Sequence, residues 1–354
     1  MLQFEDNAEQ RPNAAALGLQ SVADTVPSIT ATTLAALAPK SPAAAEMRRA
    51  INEGALGAAF AASTANNNAD GDDQKALDVH ADNEFINAAH AARVGHYASE
   101  EQAHPLTIDP ASPISVAVDP LDGSSNIDTN ISIGSIFSIL PTKGDATQTF
   151  QQPGSEQIAA GFFIYGPQLA LALTLGDGTA IFVYSERRNA FILAYERARI
   201  DADAKEFAIN MSNYRHWDES MRTYVDDCLS GQTGPREKDF NMRWIASLVA
   251  EAYRIFVRGG IFIYPRDNRK GYQNGRLRLV YEANPIAFLV EQAGGRAIDG
   301  ENRILDLHPT TLHQRVPLIF GSAGEVRKIA RYHADPSRLA IRHPLFSNRG
   351  LFRA

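Results

Sequence analysis

The sequence has almost no thiol chemistry to offer: Cys228 is the only cysteine among 354 residues. One thiol closes no disulfide within the chain and builds no cysteine-rich zinc site, which fits a reducing compartment. Long apolar runs are missing as well. No stretch reaches the roughly 20 apolar residues that a membrane-spanning helix needs. The start, Met1-Leu2-Gln3-Phe4-Glu5-Asp6, lacks the basic residues and apolar centre of a secretory signal. A cytoplasmic protein without a membrane partner is therefore expected. Basic charge is not in excess either. The formal net charge is -7, which gives no general attraction to nucleic acid, although a local basic pocket can still hold an anionic metabolite. Internal repeats and the ligand spacing of an EF-hand are absent too.

What is present is an ordinary globular composition, 44% hydrophobic and 21% charged. The length exceeds a single typical core and predicts two lobes, 1–200 and 201–354. Residues 1 to about 28 are polar and mixed and read as an arm. A short helix is expected at Thr30 to Leu37, and an alanine-rich one at Ala43 to Ala62. A loop from Asn66 to Asp73 precedes a helix at about Lys75 to Ala92. Strand patterns follow at Ser115 to Asp119, Ile131 to Leu140, Ala159 to Tyr165, Leu169 to Leu175, Thr179 to Tyr184 and Phe191 to Tyr195. The second half alternates helices at Glu219 to Leu229, Ser247 to Arg254 and Pro285 to Ala293 with strands at Gly260 to Tyr264 and Val316 to Gly321. The basic residues Arg331, Arg338, Arg342, Arg349 and Arg353 have no spacing that suggests a site.

The stretch richest in chemistry is Asp119-Pro120-Leu121-Asp122-Gly123-Ser124-Ser125-Asn126-Ile127-Asp128. A hydrophobic strand delivers Asp119 at its C-terminal end, where α/β sheets place functional groups. Pro120 fixes the chain direction and lets Asp122 turn back to the same point. Gly123 permits close backbone approach, and the N–H groups of Gly123, Ser124 and Ser125 can form an anion nest. Hard carboxylate oxygens beside such amides suit a cation-bound phosphate. An isolated Asp-Gly is usually a surface turn; the ten-residue context is what argues otherwise. Further acids stand at Ser99-Glu100-Glu101, at Glu282 ahead of an apolar helix, and at Asp72 and Asp78 around Lys75. Taken singly, these read as a solvated loop, a helix N-terminal charge and helix caps.

Together these blocks resemble class I fructose-1,6-bisphosphatase, within the inositol-monophosphatase-like superfamily. The resemblance is carried by Gly71-Asp72 with Lys75 to Val79, by Ser99 to Glu101, by Asp119 to Asp128, by Gly259 to Pro265 and by Asn274 to Glu282, in that order. It implies an α/β (α+β) fold layered αβαβα around two mixed sheets. It implies Mg²⁺, with Mn²⁺ as an alternative, held by Glu100, Asp119, Asp122, Glu282 and the carbonyl of Leu121, with Asp72 on a looser cation. It implies that Asp78 and Glu101 orient or deprotonate the attacking water. Asp122, Gly123, Ser124 and Ser125 would meet the reacting phosphate. Asn210, Tyr264 and Arg276 would hold the distal one, together with Arg243 reaching across the interface of a homotetramer. Arg276 stands where the family often has lysine, and Trp244 and Asn213 stand where better-known members have tyrosines. The implied reaction is hydrolysis of the 1-phosphate of fructose 1,6-bisphosphate. Sedoheptulose 1,7-bisphosphate is the alternative substrate, an inositol or nucleotide phosphate a more distant one, and a polyanion- or Ca²⁺-binding module the non-enzymatic alternative.

Overall fold

Alternation of side chains along the strands builds the layers of this computed structural model, which describes residues 42–53, 63–67 and 73–334. An eight-stranded sheet comprises β3 (His96–Ser99), β4 (Leu106–Thr107), β5 (Ile114–Asp122), β6 (Ile133–Pro141), β7 (Ala159–Tyr165), β8 (Leu169–Thr174), β9 (Thr179–Ser185) and β10 (Ala190–Ala198), in the order β10-β9-β8-β7-β6-β5-β3-β4. Only β3 and β5 run parallel in it. A short hairpin of β1 (Ser63–Asn67) and β2 (Asp73–Lys75) precedes this sheet. A five-stranded sheet follows, made of β11 (Glu206–Ala208), β12 (Asn241–Arg243), β13 (Ile261–Tyr264), β15 (Arg296–Ile298) and β17 (Leu318–Gly321), in the order β12-β11-β13-β17-β15. Its β11 pairs parallel to β12 and β13, and the rest is antiparallel. A last pair joins β14 (Leu277–Arg278) to β16 (Arg315–Val316).

Successive residues on a strand face opposite ways, and the cores follow that parity. Val118, Phe137, Phe163 and Leu171 bury one face of the larger sheet beneath the helices Pro42–Glu53 and Ala76–Ala92. Their neighbours Ile136, Phe162, Ala170 and Ala172 face the helices Leu248–Arg258 and Asn284–Gln292 on the other side. Those two helices also receive Ala208, Phe262 and Phe320 of the smaller sheet. The opposite parity of that sheet, Phe207, Ile261, Ile263 and Ile319, packs under the helices Glu219–Leu229 and Ala323–Ala334. The result is helix, sheet, helix, sheet, helix, the expected αβαβα arrangement with two mixed sheets. Among the described residues no helix is long and apolar enough to cross a membrane.

Most strands and helices lie within a few residues of where the sequence predicts them. The helix predicted to end at Arg254 runs on to Arg258 because Ile255 and Phe256 continue its buried stripe. It ends where Gly259, at φ +72°, turns the backbone into the left-handed region. The alanine-rich helix expected at 43–62 is described over Pro42–Glu53 only, and Ser63–Asn67 forms a strand rather than entering a loop. The expected arm, the helix at Thr30 to Leu37, Asp72 and the arginines beyond Arg331 fall outside the described residues.

Candidate active site

Asp119 and Asp122 are three residues apart, a spacing that would put them on opposite faces of a regular strand. The pairing of β5 with β6 changes that: Asp119 lies opposite Ile136 and Asp122 opposite Gly134, so three steps on β5 face two on β6. This bulge at Pro120-Leu121 brings both carboxylates to one side. Leu121 N–H closes the bend by donating to Asp119 Oδ1 at 3.0 Å. Gly134 is required opposite it, because a Cβ there would stand 2.1 Å from the Phe163 carbonyl oxygen and 2.7 Å from a Val249 methyl. The close approach lets the start of the Leu248–Arg258 helix reach the site, where Val249 N–H donates to Asp122 Oδ2 at 3.0 Å. Ser247 caps that helix.

Glu282 arrives from the second half of the chain. It sits in a turn of π-helix, Leu279–Ala283, just before the helix Asn284–Gln292, and accepts a hydrogen bond from the Arg278 N–H. It thus caps the N-terminus of its own helical turn while its carboxylate joins the acidic cluster. Ligand oxygens of Asp119, Asp122 and Glu282, all buried, lie within 4.8 Å of one another. Glu100 enters through Arg278, whose buried guanidinium pairs with Glu100 Oε1 at 3.1 Å. Arg278 is thus a buried counter-ion for the acidic cluster.

The electrostatics are those of a site short of positive charge. Burial, then the nearby Glu100, Asp122 and Glu282, hold Asp119 well above the usual carboxylate range. Burial does the same for Glu282, reinforced by Glu100 and Asp122. Asp122 rises from its ordinary 3.8 to about 7, again through burial first, with the Val249 amide pulling the other way. Crowded oxygen donors that resist ionising together are the donor set a hard divalent cation fits, since its charge removes the repulsion. The consequence for pH has a definite sign. A carboxyl raised from 3.8 to about 7 keeps its proton in the folded, metal-free protein where the unfolded chain has lost it, so metal-free stability falls as pH rises through that window. Below about pH 7 a cation must displace that proton, so the half-saturating Mg²⁺ concentration is expected to rise by up to about tenfold per pH unit for each proton released. Thermal unfolding at pH 5.5 and pH 8, with chelator and with Mg²⁺, checks both. Mg²⁺ should raise the unfolding midpoint much more at pH 8.

Around this centre, Gly123 at φ +79° is followed by the right-handed turn Ser124–Thr129, the backbone alternation that a nest requires. Asn126 ties this turn to the segment that leads into the Leu248–Arg258 helix, donating to the Ala246 carbonyl at 2.6 Å. Asp78 is buried in the first turn of the Ala76–Ala92 helix. Glu101 follows β3 half-buried, its N–H on Ser99 Oγ at 3.2 Å, and its charge acts on Asp119. Asn210, Asn213 and Tyr264 line one small recess, with Trp217 and Asp267. Tyr264 feels both Arg276 and Glu282, which links the recess to the carboxylates. Arg276 lies over the Tyr272 ring, 4.7 Å from its centroid, as Arg269 does at 4.1 Å. Sequence reasoning missed Tyr272 and Arg269. Trp244 stacks on Phe262 and lies tilted against Tyr264. Arg243 does not line the recess; it stands exposed on the edge strand β12, 3.6 Å from Glu206. A separate polar groove of about 720 Å³ beyond the Asn274-Gly275 turn contains none of the clustered carboxylates.

Comparison with known proteins finds similarity along most of the chain. Residues 33–196 match the family profile "Fructose-1-6-bisphosphatase, N-terminal domain", and residues 200–334 match the C-terminal domain of the same family. Class 1 fructose-1,6-bisphosphatases of Sinorhizobium medicae and Rhizobium meliloti are each 61% identical over 316 residues, covering 88% of this chain and 90% of the relative. The holo crystal structure of Leishmania major fructose-1,6-bisphosphatase superposes with a TM-score of 0.81 at 30% identity, over 89% of this chain and 98% of that one.

Proposed function

Because the chain belongs to the class 1 fructose-1,6-bisphosphatase family, we propose that it hydrolyses the 1-phosphate of fructose 1,6-bisphosphate to give fructose 6-phosphate and phosphate. The observation that carries this reading is the buried cluster of Asp119, Asp122 and Glu282 beside the Gly123 turn. Asp119, Asp122, Glu282 and Glu100, with the Leu121 carbonyl, are the residues that would hold Mg²⁺. Mn²⁺ offers the same oxygen chemistry, and Asp72 would hold a looser cation. Bound there, the metal supplies positive charge against the phosphoryl oxygens and the leaving alkoxide. The chain's own groups do the rest. Glu101, with Asp78, orients the attacking water and takes its proton. Amides of Gly123, Ser124 and Ser125 fix the reacting phosphate, so that the new P–O bond forms in line with the one that breaks. Asn210, Tyr264 and Arg276 hold the distal phosphate.

The proposed division of labour is a lobe of residues 1–200 carrying most metal-binding loops and a lobe of 201–354 binding the sugar phosphate. The proposed assembly is a cytoplasmic homotetramer. Arg243 supports it, since it stands at an exposed sheet edge away from its own recess. Arg243→Ala is expected to raise KM much more than it lowers kcat. Hybrids with inactive Asp122→Ala subunits should regain wild-type-like sites, whereas verified hybrids without rescue would remove Arg243 from the interface. Phosphate release from fructose 1,6-bisphosphate, sedoheptulose 1,7-bisphosphate and inositol phosphate, with and without Mg²⁺, tests the reaction itself.

A further inference from the structure

The Glu100-Glu101 pair is flanked by two residues that meet on one buried carboxylate. Tyr97, two residues before Ser99 in β3, donates its hydroxyl to Asp82 Oδ1 at 2.7 Å. Gln102, directly after Glu101, donates its side-chain amide to Asp82 Oδ2 at 2.5 Å. Asp82 is only 2% exposed and comes from a different element, the Ala76–Ala92 helix. There it lies four residues after Asp78, a spacing that places both acids on one helix face. Its two oxygens thus clasp the strand before the pair and the loop after it. A second clamp holds the same loop from the other lobe. His313 Nε2 lies 3.1 Å from the Gln102 carbonyl oxygen. That oxygen only accepts, so Nε2 carries the hydrogen. The His313 ring packs on Tyr281, 5.5 Å between centroids, and Tyr281 directly precedes Glu282.

We propose that Asp82 is a positioning residue for the reaction: by accepting from Tyr97 and Gln102 at once, it sets where Glu100 and Glu101 stand relative to Asp119, Asp122 and Glu282. This rests on the reading of Glu100 as a cation ligand and of Glu101 as the proton acceptor. Asp82 acts through the backbone between Tyr97 and Gln102. Tolerance at such a centre is small. A displacement of about 1 Å costs on the order of 10²-fold in rate, and loss of an outer hydrogen-bonding partner typically costs about 10–100-fold in metal affinity or activity. The carboxylate is needed for its two acceptor atoms, and an asparagine offers only one.

That distinction supplies the test. Asp82→Asn should lower kcat about 10–100-fold and raise the Mg²⁺ concentration for half-maximal rate, with KM for fructose 1,6-bisphosphate nearly unchanged. Pairing it with Gln102→Glu restores the clasp with reversed polarity: the new amide donates to the new carboxylate, its oxygen still accepts from Tyr97, and net charge is conserved. The double variant should recover most of the lost kcat. Gln102→Ala, at a partly exposed position, keeps the proposal testable if the buried change impairs folding. It should lower kcat about fivefold or more and shift the Mg²⁺ dependence without moving the unfolding midpoint. Wild-type kcat and Mg²⁺ dependence in Gln102→Ala, or a folded double variant no better than folded Asp82→Asn, overturns the proposal. Glu100→Gln and Glu101→Gln, measured alongside, separate the two levels. If both retain turnover, the underlying assignment fails; if they lose it while Gln102→Ala does not, only the clasp fails.

Discussion

Asp122→Asn is expected to lower kcat by at least about 10³-fold at ordinary Mg²⁺ concentrations while leaving the protein folded. The substitution keeps an oxygen for the Val249 N–H, which Asp122 Oδ2 accepts at 3.0 Å, so the start of the Leu248–Arg258 helix keeps its anchor. It removes a negative charge from a cluster in which burial and mutual repulsion already drive the carboxyl groups toward neutrality. Two opposite effects should therefore appear in one variant. Without metal its unfolding midpoint at pH 8 should equal or exceed that of the wild type, because a source of repulsion is gone. With Mg²⁺ the stabilisation should shrink and turnover collapse. A variant that kept most of its activity would remove Asp122 from the reacting centre.

Glu101→Gln carries the second large effect. It preserves shape and one hydrogen-bonding oxygen but removes the base, so kcat should fall by about 10²–10⁴ while substrate binding stays nearly normal. Glu101 contributes to the field on Asp119 but is not one of the three clustered acids. Its loss should accordingly alter Mg²⁺ affinity less than that of Asp122. Titration calorimetry with fructose 1,6-bisphosphate, set against steady-state rates, separates the two quantities. Lost binding with normal turnover of bound substrate would make Glu101 a binding residue instead.

How much of this was legible in the sequence differs from residue to residue. Most strands and helices were, because strand-forming runs and the apolar stripes of the helices are local properties of the chain, whereas the αβαβα layering was implied by the family resemblance. Asp119 and Asp122 announce themselves through Pro120 and Gly123. Their convergence depends on a bulge whose count is set by β6, and no local pattern encodes that register. Arg278 was harder. Its sequence neighbourhood is a short basic strand, and only the fold brings the sequence-distant Glu100 to it. Glu282 does open a helical segment, but the single turn of π-helix that aims it at the other carboxylates has no sequence signature of its own. Asp82 passed as an ordinary helix residue. The one signal available was its spacing of four from Asp78, which becomes informative only once Tyr97 and Gln102 are known to meet it.

We propose that the buried carboxylates gathered by β5 and the Leu279–Ala283 turn hold the divalent cation on which hydrolysis of fructose 1,6-bisphosphate by this chain depends. The measurement that bears on it most directly is product formation from fructose 1,6-bisphosphate by the full-length protein, first with chelator and then with Mg²⁺ added back. One phosphate released per sugar, fructose 6-phosphate as the organic product, no turnover in chelator and recovery with Mg²⁺ are expected. Undiminished phosphate release in chelator, or hydrolysis of inositol phosphate in preference to the bisphosphate, would contradict it.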